Sequence, residues 1–163
     1  MDVRPVRPEE HGELAHLTVA AYRTLLGADM DEGYAAELAD VANRAGSADL
    51  LVAVDDDGRV LGGVAYFATA SAFGWLDGPD EAGLRMLAVD PASQGRGVGA
   101  RLVAACVARA IEDGKTRISL HTTARMIAAH RLYERTGFRR APERDHPLDG
   151  GLLLLAYVMD LER

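Results

Sequence analysis

The stretch that decides the fold runs from Leu84 to Ala100 and reads LRMLAVDPASQGRGVGA. Its first half predicts a strand and its last residues predict the start of a helix. Between them lie Gly95, Gly97 and Gly99, and glycine permits both positive φ and a close approach of the backbone to a ligand. The first amides of a helix lack internal partners and lie at its positive end. The stretch therefore predicts an anion site suited to a phosphate.

Two common classes of phosphate loop do not fit this stretch. A P-loop continues with Lys and then Ser or Thr, whereas Gly99 is followed by Ala100 and Arg101. A dinucleotide loop has the spacing Gly-x-Gly-x-x-Gly and an acidic residue about 20 positions later. Here the spacing is Gly-x-Gly-x-Gly, and residues 114–117 contain no acid. A turn that only packs a helix on a strand remains the structural alternative.

A second motif gives the loop a more specific meaning. QGRGVG at residues 94–99 resembles the Gln/Arg-x-x-Gly-x-Gly/Ala loop of the GNAT superfamily of N-acetyltransferases, and the Val89-Asp90-Pro91 step before it resembles that family too. AHRLYERTGF at residues 129–138 resembles the second family signature, Ala-x-x-Leu-Tyr-Glu-x-x-Gly-Phe. Two motifs in this order are more specific than either one. The resemblance extends over the whole chain and implies a GNAT member.

The periodicity of the rest of the chain agrees with this resemblance. It predicts the order β-α-α-β-β-β-α-β-α-β-β, an α/β fold with a mixed sheet flanked by helices. The resemblance adds that two parallel strands splay apart. Strands are predicted at 3–6, 50–54, 59–67, 82–89, 116–122, from 138 and at 152–161, and helices at 8–26, 31–44, 98–113 and 125–135. A loop is predicted at 142–151.

Length and charge limit the class of protein. The 163 residues suit one domain, predicted to span 1–163, and 48% hydrophobic residues allow a proper core. The net charge of −7 disfavours a nucleic-acid partner. No apolar run approaches the roughly 20 residues that span a bilayer, and we see no signal peptide, so we expect a cytoplasmic protein without a membrane partner. The single cysteine, Cys106, falls on the apolar face of its helix and is predicted to be a core residue.

The resemblance implies acetyl-CoA as co-substrate, and no metal. In the family, the strand before the loop pairs with the pantetheine through its backbone, and the loop cradles the pyrophosphate. We expect Arg96 to act as part of the loop more than through its charge. The implied binding residues are Leu87, Ala88, Val89, Gln94, Gly95, Arg96, Gly97, Val98, Gly99 and Ala100.

The resemblance also implies a general acid. The family tyrosine at the position of Tyr133 points at the CoA sulfur and is thought to protonate the departing thiolate. A phenol with a pKa near 10 remains protonated at neutral pH and is able to donate. The alternative is that Tyr133 only packs, because Met126, Ala129 and Tyr133 share one helix face.

An amine acceptor is mostly protonated at pH 7 and must lose a proton before it attacks. Two residues are candidate bases: Glu81, just before its strand, and His121, on the strand before the tyrosine helix. Family members carry a carboxylate near the first position or a glutamate at the second, and histidine titrates near neutral pH. Glu81 as a solvated strand-entry residue, His121 as a structural histidine, and proton loss through a water chain remain open alternatives.

One departure from the family pattern affects the chemistry. The family often has an asparagine seven residues before the tyrosine, where this chain has Met126, which offers no comparable donor. We expect His130, one position off the tyrosine face, to be solvent-exposed and no replacement. A non-catalytic acyl-CoA sensor therefore stays an alternative, as does a transferase of a larger acyl group.

The acceptor is predicted only as a primary amine of a small molecule or peptide. Acids in the segments expected to hold it hint at a cationic amine. Trp75 and Phe73 are candidates for lining a substrate cleft, but we favour a role in covering a core edge. Family members often form dimers, so a homodimer is an option that the sequence leaves open. The acids are Asp29, Asp31, Glu32, Asp77, Asp80 and Asp149.

Overall fold

The computed structural model describes residues 1–70, 74–148 and 150–162. Its strands are β1 (Asp2–Pro5), β2 (Asp49–Val54), β3 (Val60–Phe67), β4 (Glu81–Val89), β5 (Arg117–Thr122), β6 (Arg139–Arg140), β7 (His146–Pro147) and β8 (Leu153–Asp160). They form one sheet in the order β1-β2-β3-β4-β5-β8-β6, and β7 pairs with β8. The β4–β5 pair is parallel, and the other described pairs are antiparallel.

The helices cover both faces of the sheet. They are α1 (His11–Leu26), α2 (Glu32–Ala39), α3 (Val41–Ser47), α4 (Val98–Glu112) and α5 (Ile127–Thr136). In β2, Leu51 and Ala53 pack in one core cluster with α4, whereas Leu50 and Val52 pack in a second cluster with α1–α3. Burial on both faces explains the continuous apolar run of this strand. Within the described residues, no helix is long and apolar enough to cross a membrane.

The structure corrects two of the predicted boundaries. The helix expected at 31–44 is two helices, because Asp40 leaves the helical region at ψ 68° and its side chain accepts a hydrogen bond from the Asn43 amide. Asp40 therefore ends α2 and caps α3. The segment expected to be a loop at 142–151 contains a 3₁₀ turn at Pro142–Arg144 and the short strand β7.

The two parallel strands separate after three residues. The last pair that joins β4 to β5 is Gly83 with Ser119, although β4 stays paired with β3 as far as Val89. Between Ala88 and Arg85, β4 has one residue more than the facing part of β3. Met86 in this bulge has a φ of +55°, a value that non-glycine residues rarely adopt. Within the described residues, no strand pair joins β4 to β5 beyond Gly83.

Candidate active site

The glycine loop leaves the amides at the start of α4 open. Gly95 and Gly97 have φ of +79° and +81°, in the left-handed region that suits glycine. Residues 94–97 are exposed, and Gly97 is the N-cap of α4. The first hydrogen bond back along the helix runs from the Arg101 amide to the Gly97 carbonyl. The amides of the three preceding residues thus lack an acceptor within the helix, as an anion site requires.

The loop, the end of β4 and α5 pack directly against one another. A Cβ atom on Gly99 would lie 3.0 Å from Cδ2 of Leu132 in α5 and 3.8 Å from Cγ2 of Val89. A Cβ atom on Gly62 would lie 2.7 Å from the Ala88 carbonyl oxygen. Glycine at these two positions permits the close approach of α4 to α5 and of β3 to β4. The structure therefore brings the predicted loop, the predicted strand residues and the tyrosine helix together.

The free edge of β4 runs toward this loop. Leu87 and Val89 are half-buried and Ala88 is buried. With β3 bonded on one side only, this stretch offers backbone donors and acceptors to an extended, amide-containing ligand, in the manner of strand addition. The glycine loop and this strand edge together suit a molecule with a phosphate at one end and a peptide-like chain at the other.

A cavity of about 680 Å³ opens where β4 and β5 separate. Its walls combine aromatic and aliphatic side chains with polar and charged ones, among them Asp31, Glu37, Arg85 and Arg125, and such a mixture suits a small-molecule site. The described lining residues come from α1 and α2, from the separated strands, from the start of α5 and from the β7–β8 hairpin. They include Tyr22, Leu26, Met30, Tyr34, Phe67, Trp75, Leu84, Met86, Leu120, His121, Met126, Leu148, Leu152 and Leu154.

Tyr133 is buried in the core beside this region. It is 5% exposed, and its ring meets Phe138 and Tyr157 with centroids 5.9 and 6.0 Å away. Burial raises the pKa of Tyr133 above its usual value, so the side chain stays a neutral phenol at physiological pH. Tyr133 does not belong to the described residues that line the cavity.

Glu81 is the first residue of β4 and is held in a buried ion pair. Its two oxygens accept hydrogen bonds from the Arg144 guanidinium at 2.8 and 2.6 Å, from the Ser119 hydroxyl at 3.0 Å and from the Asp77 amide at 3.1 Å. Burial raises the pKa of Glu81, but the Arg144 pair and the other hydrogen bonds outweigh it, so that the pKa lies below its usual value. Every contact of this carboxylate favours its charged form.

His121 lies on β5 and lines the cavity. Its Nε2 is 3.2 Å from the backbone carbonyl of Arg144, and its ring meets Trp75 edge-on with centroids 5.2 Å apart. Burial lowers the pKa of His121, and the nearby charges of Arg144 and His146 act in the same direction. A neutral imidazole at pH 7 is able to accept a proton.

The expectation that Trp75 covers a core edge is wrong, and the same expectation for Phe73 concerns a residue outside the described ones. Trp75 is instead 47% exposed and lines the cavity. The expectation that His130 is solvent-exposed is also wrong: it is half-buried, with Nε2 2.8 Å from the Thr123 carbonyl. Met126 caps α5 and lines the cavity, and it receives the Thr122 hydroxyl on its sulfur at 3.4 Å.

Most of the acids expected to attract a cationic acceptor already have partners. Asp29 pairs with Arg125, and Asp77 pairs with Arg144. Asp31 caps α2, and Glu32 pairs with Arg23. Asp149 lies outside the described residues. These acids therefore give little support to the expectation of a cationic acceptor. Within the described part of the chain, no cluster of three or more His, Cys, Asp or Glu side chains is able to hold a metal ion.

Arg144 and His146 are the site residues that sequence reasoning missed. Arg144 is joined to Glu81 across 63 positions, and His146 stacks on Trp75 across the mouth of the cavity. Both follow the last recognisable motif, in a segment predicted to be a loop. Their residue types alone carry no signal, because a surface loop with charged residues has the same composition.

The match to a family model decides the classification. Residues 12–138 match the model of the acetyltransferase (GNAT) family. The chain belongs to the GNAT family of acetyltransferases. The predicted family and its α/β fold are thereby confirmed, and the match contains both the glycine loop and the Tyr133 motif.

Solved GNAT structures have the same fold over the whole chain. An acetyltransferase of this family from Staphylococcus aureus Mu50 has a TM-score of 0.77 at 18% identity, over 99% of each chain. A GCN5-related N-acetyltransferase from Kribbella flavida has a TM-score of 0.71 at 25% identity, over 98% of this chain and 97% of that one. The putative acetyltransferase YncA from Salmonella typhimurium, solved with acetyl-CoA, has a TM-score of 0.69 at 20% identity, over 100% and 95%. No curated protein sequence matches the chain.

Proposed function

We propose that this GNAT protein transfers the acetyl group of acetyl-CoA directly to a primary amine, with residues 1–163 acting as one domain. The observation that carries the proposal is the separation of β4 from β5 beside the glycine loop. It leaves a strand edge and a cavity between β4 and β5, and β4 leads from there into the exposed glycine loop. The similar Salmonella protein, which was solved with acetyl-CoA, supports the choice of donor.

The residues present fit acetyl-CoA. Leu87, Ala88 and Val89 offer a free backbone edge to the pantetheine, and residues 94–100 offer open amides to the pyrophosphate. Neither role needs a charged side chain, which agrees with the exposed position of Arg96. When bound, acetyl-CoA supplies the activated acyl group. The contribution of the chain is to hold that group against the amine, and proximity of this kind supplies a large part of many catalysed rates.

Proton transfer is assigned to two side chains. We assign Tyr133 as the acid for the leaving thiolate, because its neutral phenol retains a proton to donate. For the base we prefer His121 to Glu81. His121 lines the cavity, whereas Glu81 is engaged by Arg144 and its pKa is lowered, which makes it a poor proton acceptor. Loss of the proton to a chain of water molecules remains the competing route.

The walls of the cavity favour an amine attached to an apolar body. Trp75 and Tyr34 provide flat surfaces, and the β7–β8 hairpin adds Leu148, Leu152 and Leu154. The acids near the mouth are already paired, so a polyamine finds few free carboxylates. We therefore infer that the acceptor is a small amine or a peptide N-terminus with an aromatic or aliphatic side chain.

Release of free CoA thiol from acetyl-CoA tests this function directly. The amines are 2-phenylethylamine, leucine amide, a tripeptide with N-terminal leucine, and spermidine. We expect turnover with the first three and less with spermidine, and a loss of about 10²-fold or more in kcat for Tyr133→Phe with acetyl-CoA affinity retained.

Two results would overturn the function. If acetyl-CoA binds but no amine in this panel or a wider one is acetylated, the protein is an acyl-CoA sensor, for which Met126 in place of a polar residue is the supporting feature. If succinyl-CoA is used faster than acetyl-CoA, the protein transfers a larger acyl group. Spermidine as the best acceptor would refute the apolar-body assignment alone.

A further inference from the structure

The contact between His121 and the Arg144 carbonyl determines which ring nitrogen carries the proton. A carbonyl oxygen only accepts hydrogen bonds, so Nε2 of His121, 3.2 Å away, must be the donor. In a neutral imidazole the other nitrogen, Nδ1, then holds the free lone pair. A contact made by backbone thus selects one tautomer of a residue that lines the cavity.

The Arg144 side chain anchors the backbone that makes this contact. Its guanidinium binds both oxygens of Glu81, and its Nε lies 3.1 Å from Asp77. Only 13% of the Arg144 side chain and 4% of the Glu81 side chain are exposed. A buried bidentate arginine–carboxylate pair is directional, and the planar guanidinium leaves little conformational freedom to the residue that carries it.

Glu81 also holds the strand that carries His121. Its carboxylate accepts a hydrogen bond from Ser119, two residues before His121 on β5. The contacts close a ring: Glu81 to Ser119, along β5 to His121, from His121 to the Arg144 carbonyl, and from the Arg144 guanidinium back to Glu81. Both partners of the histidine–carbonyl contact are thus fixed to one carboxylate, at the point where β4 and β5 separate.

Other groups around His121 complete its surroundings. Asp145, whose charge favours the imidazolium, is bound by both terminal nitrogens of Arg140 at 2.6 Å. His146 stacks on Trp75, and the same indole contacts His121. Burial and the charges of Arg144 and His146 lower the pKa of His121, the hydrogen bond to the Arg144 carbonyl and the charge of Asp145 raise it, and the net direction is downward.

We propose that Arg144 is a positioning residue that, through Glu81, holds His121 in the Nε2–H form so that Nδ1 accepts the proton of the acceptor amine. This inference rests on the proposed function. In the step, an N–H bond of the ammonium breaks and an Nδ1–H bond forms, leaving a neutral amine and an imidazolium. The amine lone pair then forms the C–N bond as the C–S bond breaks. The thiolate takes a proton from Tyr133, and the tyrosinate takes the remaining extra proton from the new amide nitrogen, which restores the phenol. His121 then releases its proton to solvent. Glu81 is an anchor in this scheme and exchanges no proton.

The key variant removes both charges of the ion pair at once. When only one member of a buried ion pair is removed, the charge that stays behind usually causes severe destabilisation. Glu81→Gln/Arg144→Met avoids this, because it leaves no buried charge without a partner. Arg4→Met/Glu10→Gln is the matched control, because Arg4 and Glu10 form an ion pair of the same kind, at 3.0 and 2.6 Å, away from the cavity. Thermal unfolding of each variant identifies any that does not fold.

Nitrogen NMR of the ¹⁵N-histidine-labelled full chain reads the tautomer without any turnover, and His121→Gln identifies the His121 signals. We expect the Nε2–H form in the wild type and in Arg4→Met/Glu10→Gln, and a mixture of tautomers in Glu81→Gln/Arg144→Met. The Nδ1–H form in the wild type, or an unchanged tautomer in Glu81→Gln/Arg144→Met, would overturn the positioning role.

The pH profile of turnover tests the link to catalysis. We expect kcat of Glu81→Gln/Arg144→Met to fall about tenfold, a part of the 10²–10⁴-fold effect of a whole general base. The acidic limb of its kcat profile should move, while KM for acetyl-CoA stays unchanged. An unmoved limb would refute the base role. If no amine is acetylated even by the wild type, the proposed function fails together with the base role, whereas the NMR measurement still decides whether Arg144 positions His121.

Discussion

The indole of Trp75 stacks on the imidazole of His146, with centroids 3.9 Å apart and ring planes 26° from parallel. The edge of the same indole meets His121 at 5.2 Å. Trp75 comes from the segment before β4, His146 from β7 and His121 from β5. One aromatic side chain thus joins three parts of the chain at the mouth of the cavity, although it is 47% exposed.

Removal of this indole should weaken the binding of the acceptor amine more than the binding of acetyl-CoA. We expect Trp75→Ala to raise KM for 2-phenylethylamine about tenfold, since an aromatic contact contributes roughly 0.5–1.5 kcal/mol beyond the area that it buries. Steady-state kinetics with each substrate varied in turn measure the effect. Ile111→Ala on α4 is the control, because Ile111 is equally exposed at 48% but does not line the cavity. An equal rise in KM for acetyl-CoA would argue against an acceptor site here.

The left-handed cap of α4 should tolerate no side chain without a cost. Gly97→Ala places a Cβ atom at a φ of +81°, and we expect a loss of about 1–2 kcal/mol in the free energy of unfolding. Gly12→Ala is the control, in exposed helical backbone with open space around the Cβ position, and we expect a small gain of about 0.5 kcal/mol. Urea unfolding compares the two. A neutral Gly97→Ala would contradict the left-handed conformation of the loop.

Acid should remove the stabilising effect of the Arg4–Glu10 pair. The Arg4 guanidinium and the Arg7 amide lower the pKa of Glu10 from 4.5 to about 2. A carboxyl with a lowered pKa in the folded state stabilises above its ordinary pKa, and this stability is lost as the pH falls through the folded value. We expect wild type to exceed Glu10→Gln in stability at pH 7, and this difference to shrink between about pH 4.5 and 2.

The pH series of urea unfolding includes a matched variant. Glu9→Gln removes one exposed charge from the same turn and leaves the Arg4 fork intact. If the difference in stability between wild type and Glu10→Gln stays constant across the whole pH series, the ion pair with Arg4 does not lower the pKa of Glu10.

Cys106 should be unreactive in the folded protein and unnecessary for transfer. It is fully buried in α4, and burial raises the pKa of its thiol to about 12. We expect Ellman's reagent to react only after unfolding in urea. Cys106→Ala should retain turnover at a cost of about 1–2 kcal/mol in stability. Loss of turnover in a folded Cys106→Ala protein would instead indicate an acetyl-cysteine intermediate and contradict direct transfer.

Structural features that depend on a few neighbouring residues could be predicted from the sequence. The three glycines of the loop, the helix that they open and the glycine that ends α5 each depend on the φ angle of one residue or on a cap. The division between α2 and α3 was missed, although its cause, Asp40, is local. The apolar periodicity continued across it and hid the capping signal.

The sequence by itself determined the family, the main order of the elements and the position of the glycine loop before α4, because these depend on local backbone preferences and on motifs with a set spacing. Only the tertiary structure decided which candidate base is free. Glu81 and Arg144 are 63 positions apart, and no local signal joins them. Formation of the sheet brings β4, β5 and the segment before β7 together, and burial then makes the ion pair strong enough to engage Glu81 and leave His121 at the cavity.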